Sequence, residues 1–428
     1  QLNSSVVVGN YSLGVSLLPT FSVKANTSSF LKSTGETIPL NRINIRLLSI
    51  NGLQLLGIHT EVPLTTAAQP IYVGVLGANL ASGPIVANVR IPTSGFIWKQ
   101  GLYVSNVSFS VGGVLIPGSI APSSQALNIQ IPGFISVQPT LAKASLVIDD
   151  LNYYRSAGVI SVNQIIPVST TVPYVPSIRA EGSQFNFSTS LPYNSLPLSP
   201  VSAITVGLTS VSTGTPVSLS TSDQALTTPS GIALTSNNQV LTNTYSINAV
   251  QLTNSFLQAG TYFLPVTYSY NESVVGSPAG VPQAQATSGL EVLVSDLAEI
   301  VASQQVINLD FNTALDYVNG VSVDIPTHLR VSKTTPYNLT VRSTSSAFNS
   351  LDNNIPLSVL RIGPSVAQTD MNTVTLSGTA QPLIDNANPV IDRSFGVRFS
   401  IPASQAEKLL GKPSGNYSAD IIFSIVAP

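Results

Sequence analysis

The stretch Gly415-Asn-Tyr-Ser-Ala-Asp-Ile-Ile-Phe-Ser-Ile425 sets the organisation of the chain, because its pattern occurs three times. Gly101–Val111 and Gly260–Tyr270 follow the same formula, Gly-x-Tyr-x5-(Phe/Tyr)-Ser-hydrophobe, without a gap. Apolar residues recur at every second position, which is the period of a strand that buries one face, and the leading glycine suits a turn. The repeat therefore predicts three related β domains, each with this segment as its last core strand.

A second set of residues recurs in the same order upstream of these strands. Its copies are Val23-Lys24-x5-Phe30, Ile178-Arg179-x5-Phe185 and Val341-Arg342-x5-Phe348. Further upstream, each repeat has a polar residue and a tyrosine followed shortly by Gly-Val, at Asn10-Tyr11, Asn152-Tyr153 and Asp316-Tyr317. We therefore predict an internal triplication, with repeats at 1–113, 114–285 and 286–428, of which the second includes a linker.

The distribution of turn formers predicts an all-β fold. The 428 residues include 30 Pro and 29 Gly, which leaves no room for long helices. Short alternating segments such as Ile43–Ile50 lie between turns rich in Ser, Thr and Asn. We expect three tandem β-sandwich domains of ordinary size. One or two helical turns are expected at Ser404–Glu407, which has the form of a capping box.

Composition restricts the partners of the chain. Charged residues make up only 8% of it, and the formal net charge is −2 at pH 7. Typical soluble domains have about 25% charged residues, so this surface must consist largely of neutral polar groups. Such a surface has no basic patch for phosphate, which argues against a nucleic-acid partner. No apolar run reaches the roughly 18 to 20 residues that a membrane-spanning helix needs.

The cysteine count and the first residue bear on the compartment. The chain has no cysteine, which excludes disulfides, thiolate metal sites and a cysteine nucleophile. It opens with Gln1 rather than Met, and this favours a secreted chain whose signal peptide has been removed. A trimmed N-terminus is the alternative explanation.

Candidate catalytic residues are sparse. The two histidines, His59 and His328, lie in different repeats and have no evident partners for a metal site or a catalytic triad. The acidic pair Asp149-Asp150 is better explained by turn capping than by glycosidase chemistry. Trp98 is expected in a core or an interface rather than as a platform for sugars. We therefore expect no enzyme activity, no metal and no cofactor.

Alternating segments also lie between the repeats, at Leu127–Ile131 and Leu290–Val294. No such segment stands before Asn10 or after Ile425. Whichever neighbour owns this strand, one terminal domain is short of it. Either that domain manages without the strand, or it leaves an edge exposed, and proteins normally cover, charge or pair such edges.

The terminal strand Gly415–Ile425, preceded by Ile401-Pro402-Ala403-Ser404, resembles the ends of bacterial fimbrial subunits and of Ig-like surface adhesin repeats. Low charge, absence of cysteine and abundant Ser, Thr and Val are also common in those proteins. The resemblance implies Ig-like sandwiches, one of them completed by a strand from the next subunit. Three domains in one chain and the lack of a disulfide depart from many fimbrial subunits.

Together these features predict a secreted structural subunit of an extracellular bacterial filament or fimbria at the cell surface. Subunits of this homopolymer are expected to join head to tail by β-strand addition, with Gln1–Val8 as the candidate donor and the C-terminal Phe423–Pro428 end or a plain side-by-side contact as the alternatives. The candidate interface residues are Val6, Val7, Val8, Phe423, Ile425 and Val426. The alternative is a monomeric adhesin that binds host or environmental glycans through loops such as Ser210–Asn237.

Overall fold

The computed structural model describes residues 2–12, 14–54, 56–75, 82–116, 118–212, 214–273, 282–351, 353–366 and 368–428. The chain is all-β, with 56% strand and 8% helix, in several curled sheets consistent with β-sandwiches. Buried apolar side chains form three separate clusters, between Val8 and Ile131, between Ile135 and Val294, and between Ile325 and Ile401. We call the three parts unit 1 (2–131), unit 2 (135–294) and unit 3 (298–426).

The strands of unit 1 are β1 (Leu2–Ser12), β2 (Val15–Ala25), β3 (Ser29–Leu31), β4 (Thr37–Pro39), β5 (Asn44–Ile50), β6 (Gly57–His59), β7 (Val62–Pro63), β8 (Gln69–Gly74), β9 (Gly83–Ile91), β10 (Gly101–Ile116), β11 (Ser119–Ala121) and β12 (Ser124–Ile131). One sheet has the order β11-β1-β9-β5-β7. The other has the order β4-β3-β10-β2-β8-β6, and β12 also pairs with β10.

The elements of unit 2 are β13 (Ile135–Val137), β14 (Ala144–Ile148), α1 (Asn152–Arg155), β15 (Val159–Thr170), β16 (Tyr174–Ala180), β17 (Asn186–Ser188), β18 (Thr205–Leu208), β19 (Val217–Ser218), β20 (Gln224–Ala225), β21 (Asn238–Asn248), α2 (Ala249–Ser255), β22 (Gly260–Glu272) and β23 (Gln283–Val294). Its sheets have the orders β13-β15-β21-β18-β19 and β14-β23-β22-β16-β20, and β17 also pairs with β22.

The elements of unit 3 are β24 (Ala298–Ala302), α3 (Ala314–Asn319), β25 (Gly320–Lys333), β26 (Tyr337–Ser343), β27 (Ala347–Ser350), β28 (Asn353–Pro356), β29 (Arg361–Pro364), β30 (Val374–Thr375), β31 (Gln381–Ala387), β32 (Val390–Pro402), α4 (Ala403–Ala406) and β33 (Ile421–Val426). Its main sheet has the order β24-β25-β32-β29-β30, and its second sheet is β31-β26-β33. Short 3-10 turns occur at Leu40–Arg42, Val201–Ala203, Leu357–Val359 and Glu407–Leu409.

The residues that recur in the sequence have the same cross-strand partners in each unit. Val23 pairs with Phe109, Ile178 with Tyr268, and Val341 with Phe423. The short strand that follows makes an equivalent contact near the start of each Gly-x-Tyr segment. These contacts pair Leu31 with Val104, Asn186 with Phe263, and Asn349 with Ser418. The hydroxyls of Tyr103, Tyr262 and Tyr417 each donate to the carbonyl four residues upstream, at 3.1, 2.8 and 2.9 Å. A backward bond of this kind is the tyrosine corner of Ig-like sandwiches.

The boundaries predicted at 113/114 and 285/286 fall inside the strands β10 and β23. Strands β12 and β23 pair in antiparallel fashion with the Gly-x-Tyr strands β10 and β22, and so belong to units 1 and 2. The Gly-x-Tyr strand is therefore not the last strand of units 1 and 2. The hydrogen-bond ladder places the boundaries after Ile131 and after Val294.

The most upstream match holds for two units only. Asn152-Tyr153 and Asp316-Tyr317 lie in α1 and α3, whereas Asn10-Tyr11 lies in strand β1. The acidic groups near these helices do cap turns: the Asn152 amide donates to Asp150 at 2.8 Å, and Asp316 forms a capping box with Thr313. At Ser404–Glu407 the predicted helical turns occur, but α4 begins after Pro402 without a side-chain cap.

Neutral hydrogen bonds join unit 1 to unit 2. The Asn237 side chain accepts from the Trp98 amide at 2.7 Å and donates to the Trp98 carbonyl at 2.8 Å. The Gln100 amide donates to the Thr171 carbonyl at 3.0 Å. The indole of Trp98 is half-buried and packs edge-on against Phe96 at 4.8 Å, so it serves packing at this joint.

A cluster of charged groups lies at the joint between units 2 and 3. Arg155 of α1 forms ion pairs with Asp392 at 2.7 Å and with Glu299 of unit 3, and it also donates to Ser332 at 3.1 Å. The hydrogen bonds from Arg155 lower the pKa of Asp392 below its ordinary 3.8. A carboxyl whose pKa is depressed by folding stabilises the fold above its ordinary pKa, and this contribution is lost as pH falls through the folded value.

Replacing Arg155 by Gln should weaken this joint near neutral pH and reduce its sensitivity to acid. We expect a melting temperature lowered by roughly 2 to 4 °C, equivalent to about 1 kcal/mol. The wild-type chain should lose this difference as pH falls below 3.8, the ordinary pKa of Asp392. Calorimetry over a pH series measures it, with Arg179→Gln as control because Arg179 pairs with Glu181 within unit 2. Equal acid responses in all three proteins would contradict the assignment.

Candidate subunit interface

An open edge of β33 distinguishes unit 3 from the other two units. In unit 1, β10 lies between β2 and β12, and in unit 2, β22 lies between β16 and β23. In unit 3, β33 pairs with β26 on one side, and none of the described strands pairs with its other side. Phe423, Ile425 and Val426, three of the candidate interface residues, lie on this strand.

The inward face of β33 is less covered than that of its counterpart in unit 2. Tyr262, Leu264, Val266 and Tyr268 of β22 are all 0% exposed. Ile421, Phe423 and Ile425 of β33 are only partly buried, although they pack against the core of unit 3. Phe423 and Tyr417 pack against this core, as their alternation in the sequence predicts, but each keeps part of its surface exposed. The difference follows from the strand that β22 has and β33 lacks.

A second half-buried row lies in the segment 307–311. In unit 2, β14 pairs in parallel with β23 and buries Ala144, Leu146 and Ile148 to 3%, 1% and 0% exposure. Unit 3 has the same alternation at the same place in the chain, between its first strand and its helix, at Ile307, Leu309 and Phe311. These side chains pack against the core but are only partly buried, and 303–312 form no strand.

We call the position between 307–311 and β33 the unit 3 slot. In unit 2 the corresponding position holds β23, which pairs with β22 on one side and with β14 on the other. On this analogy with unit 2, the slot lies between two rows of partly buried apolar side chains, both of which pack against the unit 3 core. The backbone just before β33 also has less regular pairing than in the other units. Gly415–Asp420 form only an isolated bridge, between Ser418 and Asn349, whereas the corresponding parts of β10 and β22 are regular strands.

His328 lies in the core beside the slot. Its side chain is 2% exposed and contacts Phe423 and Phe399, with ring centroids 5.6 and 5.4 Å away. The Nδ1 atom of His328 is buried without a hydrogen-bond partner. Burial lowers the pKa of this imidazole below its ordinary value, which favours the neutral ring. In the sequence, His328 is a candidate only for a metal site or a catalytic triad, and none of its neighbours in the chain connects it with the interface.

The other three candidate interface residues lie in unit 1. Val6 and Val7 pair with Ala87 and Val86 of β9, and Val8 is 3% exposed in the unit 1 core. The predicted alternation is present, since Val7 is 60% exposed, but this strand is already part of a sheet. A free donor role for Gln1–Val8 does not fit this structure, because donation would remove β1 from β9.

Val6, Val7 and Val8 instead line a groove of about 260 Å³ together with residues of β12, including Gln125 and Leu127. In unit 2 the corresponding outer edge of β23 is covered by β14. Unit 1 therefore presents a groove at the place where unit 2 carries one of its own strands.

The signal for the 307–311 row was present in the sequence. Ile307, Leu309 and Phe311 alternate just before Asp316-Tyr317, as Leu146 and Ile148 do before Asn152-Tyr153. Proline also begins the same short turn in every unit, at Pro39, Pro200 and Pro356. Each turn is followed by Ile or Leu, at Ile43, Ile204 and Leu360, and this pattern would have extended the alignment of the repeats.

The residues that the structure describes hold no group of three or more His, Cys, Asp or Glu side chains arranged to bind a metal ion. None of their helices is long and apolar enough to cross a membrane.

No protein-family model and no curated protein matches the chain. Among solved structures, the chain is similar to CfaE, the adhesive subunit of CFA/I fimbria of enterotoxigenic Escherichia coli, at 12% identity and a TM-score of 0.26 over 68% of this chain and 87% of that one. The CsuC-CsuE chaperone and tip adhesion subunit complex of Acinetobacter baumannii matches at 14% identity and a TM-score of 0.31, over 68% and 99%. The CooA pilin subunit of enterotoxigenic Escherichia coli matches at 15% identity and a TM-score of 0.25, over 38% and 99%. These neighbours are fimbrial adhesins and pilins, the class that the terminal strand resembles.

Hydrogen exchange should distinguish β33 from β22. Every second amide of an edge strand lacks a partner in the ladder, so alternate amides of β33 should exchange about as fast as those of surface loops. The amides of β22, paired on both sides, should exchange only in larger opening events. Residue-resolved exchange by NMR measures both strands in one sample. Uniform protection along β33 in the isolated protein would contradict an open edge.

Proposed function

We propose that this chain is a secreted structural subunit of an extracellular bacterial filament or fimbria, and that subunits join head to tail by β-strand addition at the unit 3 slot. The observation that carries the proposal is the open edge of β33, beside a second half-buried row at 307–311. A strand from a neighbouring copy would run antiparallel to β33, as β23 runs along β22.

We propose further that the three units are Ig-like sandwiches derived from an internal triplication. The equal pairings of Val23, Ile178 and Val341 support this, and so do the three tyrosine hydroxyls that bond four residues upstream. With a triplication, β12 and β23 are equivalent strands that complete units 1 and 2. The slot is then the position at which unit 3 lacks this strand.

The chemistry of the slot favours a durable contact. Strand addition supplies a ladder of main-chain hydrogen bonds, while alternate side chains enter apolar positions. The half-buried side chains beside the slot are mostly apolar, so assembly should persist at high salt. A contact between the slot and a different surface of the next copy is heterologous, and a heterologous contact that does not close produces a filament.

The rival function is that of a monomeric adhesin for host or environmental glycans. Its proposed loop, Ser210–Asn237, is held in part by β19 on β18 and by β20 on β16. We favour the filament subunit because the open strand edge is a specific feature, whereas no comparable observation singles out a glycan site. A structural rather than enzymatic role is part of the proposal.

Filling the slot with the chain's own sequence tests the proposal. Since Phe423 corresponds to Tyr268, Pro428 corresponds to Ser273, and a copy of residues 274–294 appended after Pro428 would place a second β23-like strand beside β33. The wild-type chain is expected to form filaments at high concentration, visible by electron microscopy. The fused chain should remain monomeric and melt at a higher temperature, because the added strand buries apolar surface and pairs the edge.

The matched control is the same fusion with Ala286→Asp and Leu290→Asp in the appended copy only. These positions face inward in unit 2, where both residues are buried, so the control strand should not dock and filaments should persist. Filaments of unchanged length from the first fusion, with no rise in melting temperature, would overturn strand addition at the slot. Stable wild-type monomers that bind glycans would favour the adhesin instead.

A further inference from the structure

The strand that completes each of the first two units carries one polar side chain at the same register. In unit 1 it is Gln125 of β12, which lies opposite Val107. In unit 2 it is Ser288 of β23, which lies opposite Val266. Both positions stand two residues from the Phe109 and Tyr268 pairs, so they are equivalent in the ladder.

Both polar side chains form a hydrogen bond with the same strand of the facing sheet. Gln125 donates through Nε2 to the Val7 carbonyl of β1 at 3.2 Å. Ser288 accepts from Nε2 of Gln164 of β15 at 2.6 Å. Gln164 is itself 5% exposed and accepts from the Tyr268 hydroxyl at 2.7 Å. The completing strand therefore satisfies a polar group on β1 or β15.

Unit 3 has a buried polar side chain on the equivalent strand but lacks the completing strand. Strand β25 occupies the place of β1 and β15 in the sheet order. His328 of β25 contacts Phe423, the counterpart of Tyr268, and its Nδ1 is buried without a partner. Leaving a buried polar atom unpaired costs roughly 1 to 3 kcal/mol, so the isolated unit carries an unsatisfied group beside its empty strand position.

We propose that His328 selects the strand that enters the unit 3 slot by hydrogen-bonding to a hydroxyl or carboxamide side chain at the position opposite Ile421. This inference rests on the proposed strand addition and adds the chemistry of the incoming strand. The occupant is an extended segment of a neighbouring copy, antiparallel to β33. Small or apolar residues face inward along it, except for one Ser, Thr, Asn or Gln at that register.

A peptide with the sequence of residues 283–294 serves as the probe, because it is the strand that completes unit 2. Its Ser288 would lie opposite Ile421, as it lies opposite Val266 in the folded chain. Binding to the full-length protein is measured by fluorescence anisotropy with this peptide and with the Ser288→Ala version. We expect the serine peptide to bind about five-fold more tightly, the usual effect of one neutral hydrogen bond.

Protein variants assign the difference to His328. The serine and alanine peptides should bind His328→Leu with about equal affinity. His328→Gln should keep the preference for serine, because the glutamine at position 164 forms such a hydrogen bond with Ser288. Nitrogen NMR of labelled histidine gives a readout without any protein variant: the Nδ1 signal of His328 should shift with the serine peptide and not with the alanine peptide. The fused chain with a filled slot, which should bind neither peptide, controls for binding elsewhere.

The outcomes separate the two proposals. Absence of binding by both peptides would overturn strand addition at the slot, and with it the proposed function. Equal binding of the serine and alanine peptides to the wild-type protein would overturn the role of His328 alone. A serine preference that persists in His328→Leu would also overturn that role.

Discussion

The antiparallel ladder between each Gly-x-Tyr strand and the strand after it is the constraint on which the rest of the structure depends. In unit 2 this ladder runs from Gly260 to Asn271 and places β23 between β22 and β14. The inward-facing row of β22, which includes Tyr262 and Tyr268, is fully buried in this unit, where β23 is present. Where the ladder is missing, in unit 3, the tyrosine corner survives but the row stays half-covered and Gly415–Asp420 lose regular pairing.

The sequence predicted those parts of the fold in which side-chain period and turn chemistry agree. The equivalent positions of Val23, Ile178 and Val341 follow from a repeated pattern of period two, in which a one-residue slip would turn every buried side chain outward. Assignment of β12 and β23 to the preceding unit was not predictable in this way, because an alternating strand between two domains satisfies the same pattern on either side. Only the hydrogen-bond ladder decides between them.

Two errors had local physical causes. Asn10-Tyr11 resembles Asn152-Tyr153 because a polar residue beside an aromatic suits both a strand near its turn and a short helix. The donor role predicted for Gln1–Val8 rested on β propensity, and propensity cannot show that this strand pairs with β9. His328 was missed for a related reason: a histidine far in sequence from other titratable groups shows no chemistry until the fold brings Phe423 against it.

Polar groups are one means of holding a completing strand in a single register. An apolar slot alone accepts a strand shifted by two residues nearly as well, because the inward face is preserved. A single buried hydrogen-bonding group removes this degeneracy, since only one register satisfies it. Units 1 and 2 place a partly exposed hydrogen-bonding side chain at the same rung, through Gln125 and Ser288. In a chain with so few charges, neutral hydrogen bonds are the available means of fixing register, and unit 3 has His328 in its core against Phe423, on the strand with the open edge.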